Sequence, residues 1–107
     1  MTIGEQVVDE DKQRAWIAFL ARRYSQFKEP LRPFVARVIF ARSQHSQVFA
    51  KELLKQSAKS SQEAWQDVFV FGVSAMGAQQ EFRVRLTELS QKAESPIIRQ
   101  KAKLLLN

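Results

Sequence analysis

Apolar residues recur at intervals of three and four along most of this sequence, which is the spacing that places side chains on one face of an α-helix. In the second half of the chain, Trp65, Val68, Phe69, Gly72 and Met76 follow this spacing. We find no run that alternates strictly between apolar and polar residues, as a half-buried strand would. The sequence therefore predicts an all-α fold, and we expect a compact bundle of four or five helices, mostly antiparallel.

The first helix is predicted to begin between residues 3 and 10, because Thr2 and Glu5 fit a capping box. It should end near Phe27, before Pro30 forces a break. Its aromatic and aliphatic residues have the spacing of one buried stripe, and we expect them in the core rather than stacked on a ligand. The stripe consists of Trp16, Phe19, Leu20, Tyr24 and Phe27.

Pro33 is well placed as the first residue of a second helix, since a proline there loses no hydrogen bond. Two alternatives stay open for residues 43–46. Either they form the solvent face of a continuing helix, or the helix breaks and Ser46 caps a third one.

The clearest helix start in the second half is the S-x-x-E pattern of Ser60 and Glu63, which predicts a capping box. Residues 78–93 should form a further helix. The order Ser95 then Pro96 predicts the start of the last helix, with a serine cap followed by a proline at the first helical position.

The most apolar stretch, residues 68–78, is about half the length that a membrane-spanning helix needs. We interpret it as buried core and expect no membrane insertion. Gly72 and Gly77 within it indicate close packing and a chain bend rather than a ligand site. The chain length suits one helical domain, residues 1–107. Its acidic N-terminal segment, residues 1–11, has open alternatives: the carboxylates cap helix 1, they fold back over the basic face as a mimic of phosphate, or the segment is flexible.

Catalytic and metal chemistry have few candidate residues. Cysteine is absent, which excludes disulfides and thiolate ligands and suits a reducing, cytoplasmic location. His45 is the single histidine, with no carboxylate within one helical turn, and we interpret it as a polar surface residue. No phosphate-binding glycine loop is present. We therefore expect a protein that is not an enzyme and needs no metal or cofactor.

Positive charge is concentrated in one part of the chain. Residues 12–55 hold ten Lys or Arg and two acids, a local charge of +8, whereas the whole chain carries +6. Clustered charge of this kind indicates an anionic partner. The interleaved bases and aromatics of residues 22–34 have the composition that single-stranded nucleic acid binding uses. The predicted phosphate contacts are Arg22, Arg23, Lys28, Arg32, Arg37 and Arg42.

Two functions follow from this charge distribution. The first is a nucleic-acid-binding or nucleoprotein accessory subunit, for DNA or RNA, with weak sequence preference. The second is an adaptor whose basic face docks an acidic partner protein. Two further alternatives stay open. The basic face could serve only to keep the protein soluble, and the chain could form a homo-oligomer, since the sequence does not give the oligomeric state.

Overall fold

The computed structural model describes the backbone of residues 3–107 and the side chains of residues 10–107. Within this part of the chain, six α-helices and three short 3₁₀ turns form and no strand does. The all-α prediction is confirmed, whereas the expected count of four or five was too low. The helices are α1 Ile3–Arg22, α2 Arg32–Ala41, α3 Gln47–Ala58, α4 Glu63–Met76, α5 Arg83–Lys92 and α6 Pro96–Leu106.

Helix α1 ends at Arg22, five residues before the expected end at Phe27. Two 3₁₀ turns, Tyr24–Gln26 and Glu29–Leu31, then lead into α2. The Arg32 side chain donates hydrogen bonds to the Ser25 and Phe27 carbonyls and so stabilises this connection in place of a continued helix. The predicted capping box of Thr2 and Glu5 lies outside the described side chains.

Residues 43–46 break the helix, which decides between the two alternatives. A 3₁₀ turn spans Ser43–His45, and Ser46 occupies the cap position of α3, although its side chain makes no capping hydrogen bond. This break adds the helix that the expected count lacked. The Ser60 capping box is wrong: α4 starts at Glu63 behind Gln62, and the Ser60 hydroxyl accepts a hydrogen bond from the Gln62 N–H (3.1 Å).

Helix α4 lies at the centre of the molecule and packs against α2, α3 and α6, while α5 packs against α6. Gly72 permits the close approach, because a Cβ there would lie 2.7 Å from Phe40 and 2.8 Å from Leu54. The interpretation of Gly72 as a packing residue is therefore confirmed. The side chains that fill the core with less than 2% exposure include Ile17, Ile39, Phe40, Leu54, Phe69, Val73, Leu86, Leu89 and Ile98.

The ends of the later helices follow their local sequence closely. Gly77 adopts a left-handed conformation with φ +62°, and the Ala78 N–H donates to the Val73 carbonyl (3.0 Å), which together form a Schellman motif. That motif makes the predicted chain bend and delays α5 to Arg83. At α6 the Ser95 hydroxyl accepts from the Ile98 N–H (3.3 Å), as the serine and proline order predicted.

Candidate nucleic-acid interface

An exposed row of two aromatic rings and one guanidinium group lies along the C-terminal half of α1 and the residue that follows it. Trp16 and Phe19 stack with ring centres 5.6 Å apart and ring planes 13° from parallel, and the Arg23 guanidinium lies 5.2 Å from the centre of the Phe19 ring. Their positions differ by three and four residues, so helix geometry brings them together. We call Trp16, Phe19 and Arg23 the α1 stripe. Trp16 is 54% and Phe19 36% exposed.

The expectation that all the aromatics of helix 1 belong to the core is wrong for Trp16 and Phe19. Ile17 and Leu20 fill the core-facing positions of α1 instead, with 1% and 4% exposure. The apolar arc of α1 is wider than the area that the other helices cover, so one side of it stays on the surface. Tyr24 is partly buried and packs edge-on against Phe49 at 5.6 Å, in agreement with a core role.

Three of the six predicted phosphate contacts lie within seven residues of one another, where α1 ends and the connection to α2 begins. Arg22 is in the last turn of α1, Arg23 follows it, and Lys28 separates the two 3₁₀ turns. All three are exposed. Among the side chains of residues 10–107, we find no hydrogen bond or ion pair made by these three, so the cations face solvent.

Arg32 is held by its own chain. Its Nε donates to the Phe27 carbonyl (3.0 Å) and its Nη2 to the Ser25 carbonyl (3.0 Å), while its guanidinium lies 5.8 Å from the centre of the Tyr24 ring. These contacts fasten the irregular connection between α1 and α2. Arg32 therefore has a structural role whether or not a ligand binds.

Arg37 and Arg42 also have partners within the molecule. Arg37 lies 3.7 Å from the Asp67 carboxylate and 4.1 Å from the centre of the Phe71 ring. The same carboxylate accepts a hydrogen bond from Lys101 (3.1 Å). Sequence reasoning missed Lys101, since nothing local indicates a contact 34 residues away. The Arg42 Nε donates to the Gln13 side chain (3.1 Å) and links α2 to α1.

A cleft of about 280 Å³ lies beside Tyr24 and is also lined by Arg32, Ser57 and Trp65. Burial raises the pKa of the Tyr24 hydroxyl from 10 to about 12, and the positive charge of Arg32 opposes that rise. Because the folded pKa exceeds the unfolded one, this contribution to stability is complete below pH 10 and is lost as pH rises through 12.

Tyr24 is the single tyrosine, so ultraviolet absorbance of the phenolate reports on it alone. At a pH of about 11 we expect much less phenolate in the folded protein than in urea, because burial favours the neutral form. Arg32→Gln should lower that fraction further, whereas Arg22→Gln serves as the matched control with no effect. Identical titrations with and without urea would show that Tyr24 is solvated.

The interpretation of His45 as a surface residue is wrong. Its side chain is only 4% exposed, and its Nε2 lies 3.3 Å from the Glu10 carboxylate, an approach whose angles fall short of a hydrogen bond. Glu10 is far away in sequence, and folding of α1 beside the Ser43–His45 turn brings the two together. Within the described part of the chain, no three His, Cys, Asp or Glu residues are grouped to hold a metal ion.

Comparisons with known proteins add no relative. No protein-family model matches the chain, and neither a curated protein nor a solved structure matches it. Of the helices described, none is both long and apolar enough to cross a membrane. Any function must therefore be argued from the surface itself.

Proposed function

We propose that this protein is a non-catalytic nucleic-acid-binding protein or nucleoprotein accessory subunit that binds DNA or RNA with little sequence preference. The observation that carries the proposal is the exposure of Arg22, Arg23 and Lys28, which lie at the end of α1 and in the connection that follows it, and which we call the exposed cluster. Residues 12–28 contain five bases and no acid, so no carboxylate of this segment neutralises the cluster. Exposed cations with no carboxylate partner among the described side chains are suited to phosphates.

Arg32, Arg37 and Arg42 belong to the proposed interface in a secondary role. Each has an intramolecular partner, so contact with a phosphate would have to share or replace that partner. The absence of cysteine, together with a single histidine whose side chain is only 4% exposed, supports a function without catalysis, metal or cofactor. The lack of cysteine also fits a cytoplasmic protein.

An adaptor that docks an acidic protein is the second candidate. Leu31, Phe34 and Val38 lie on one face of α2 and its preceding turn, and Phe34 is 70% exposed. Exposed apolar residues beside a basic surface suit a protein interface with an apolar centre and a charged rim. The two candidates differ in their response to salt.

A salt titration with single-stranded oligo(dT) tests the proposal. Each phosphate contact lowers the affinity by about 0.7 power of the salt concentration on a single strand. If the exposed cluster supplies the contacts, we expect a slope of about −2 for log affinity against log salt, whereas six equal contacts would give about −4. Fluorescence anisotropy of a labelled strand provides the measurement.

The variant Phe34→Gln is the control, because it removes the most exposed aromatic of α2 without a change in charge. It should bind oligo(dT) as the parent does. A parent that binds no polyanion even at low salt would reject nucleic-acid binding. A slope near zero would indicate an interface with few phosphate contacts and would favour the adaptor.

A further inference from the structure

We infer that the α1 stripe is a stacking platform for unpaired bases, which makes single-stranded nucleic acid the ligand class. This inference depends on the proposed function and makes it more specific. Phosphate contacts alone would serve duplex and single strand alike, whereas exposed rings discriminate in favour of bases that are free to stack.

The flat groups of the α1 stripe form one exposed row. Trp16 and Phe19 are nearly parallel, and the Arg23 guanidinium extends the row past Phe19. Aromatic faces and guanidinium planes are the two surfaces on which proteins stack unpaired bases. Since Ile17 and Leu20 already fill the core-facing positions of α1, the core does not depend on the exposed rings of Trp16 and Phe19.

The length and charge of the stripe fit a short piece of one strand. From Trp16 to Arg23 the chain advances about 10 Å, roughly the length of three stacked nucleotides at a rise of about 3.4 Å per base. Lys12 lies one turn before Trp16, Arg22 is next to Arg23 in the chain, and Lys28 follows them, all of them exposed. Cations therefore flank the rings on both sides, where a strand crossing them would place its phosphates.

Charge also argues against a protein as the occupant of this stripe. Tryptophan and arginine are common in protein interfaces as well. Such interfaces deplete lysine and charge at their centre, whereas here five bases and no acid occur over residues 12–28. The separate apolar face of Leu31, Phe34 and Val38 is the better protein-docking candidate.

Fluorescence of Trp16 can test the stacking directly. The chain has two tryptophans, so Trp65→Phe leaves Trp16 as the single emitter and keeps a ring at position 65. In this background, oligo(dT) should quench Trp16 fluorescence, while a duplex of equal length should quench it little. Trp16→Leu should weaken oligo(dT) binding roughly 5- to 100-fold and duplex binding less than about 2-fold, and Trp16→Phe should restore most of the affinity.

Trp16→Leu should keep the parent melting curve, since the ring is exposed, and the quenching measurement does not depend on that variant. If oligo(dT) does not quench Trp16, or if Trp16→Leu leaves oligo(dT) binding unchanged, the stacking platform is wrong. The proposed function would still stand in either case as long as oligo(dT) binding weakens with salt. A parent that binds neither strand nor duplex at low salt would reject both. A dimer in sedimentation that Trp16→Leu dissociates would also overturn the inference, because the stripe would then join two copies of the chain.

Discussion

Phe69→Ala is expected to lower the free energy of unfolding by about 3–5 kcal/mol, a large share of what a domain of this size has. Phe69 is fully buried in α4 and meets Phe82 edge-on, with ring centres 5.3 Å apart. Its removal would leave a cavity in the part of the core that α4 shares with its neighbours. Urea unfolding followed by circular dichroism provides the measurement, and the midpoint should shift while the slope stays constant.

Trp65→Ala is the matched control for this prediction. The sequence pattern places Trp65 and Phe69 on one stripe and predicts similar costs for both. In the structure Trp65 is only partly buried and borders the cleft next to Tyr24, so its loss should cost clearly less. Equal costs would mean that Trp65 is also a core residue, and an unchanged midpoint for Phe69→Ala would mean that the α4 stripe is exposed.

Features fixed by neighbouring residues were predictable from the sequence. The cap of α6 needs only Ser95 and Pro96, and the chain bend needs only a residue that tolerates positive φ, as Gly77 does. Gly72 is recognisable as a packing residue because it interrupts an apolar stripe. For the α6 cap and the bend at Gly77 the physical cause lies within one helical turn, whereas the partners of Gly72, Phe40 and Leu54, lie on other helices.

Features fixed by distant neighbours were not predictable. Periodicity gives the apolar arc of α1 but not which half of it other helices cover, so Trp16 and Phe19 were assigned to the core in error. The Glu10 approach to His45 and the Lys101 contact with Asp67 join parts of the chain that no local pattern relates. The same holds for the arginines: the sequence gives their charge, whereas only the fold separates those with partners from those without.

Two sets of three cations, one exposed and one with intramolecular partners, should contribute differently to binding. The triple substitution of Arg22, Arg23 and Lys28 by Gln lowers the net charge from +6 to +3, since +6 − 3 = +3, and so does the triple substitution of Arg32, Arg37 and Arg42. We expect the first set to lower oligo(dT) affinity on the order of 10² at 50 mM salt and to leave melting unchanged, because exposed charges contribute little to folding.

The second set should weaken binding less and lower the melting temperature, since it removes the hydrogen bonds of Arg32 to two carbonyls and the link from Arg42 to Gln13. Each such bond contributes about 0.5–1.5 kcal/mol net. Both triple variants carry the same charge, so any difference in affinity comes from position. Equal losses of affinity would show that binding responds only to net charge, and the exposed cluster would then have no special part in it.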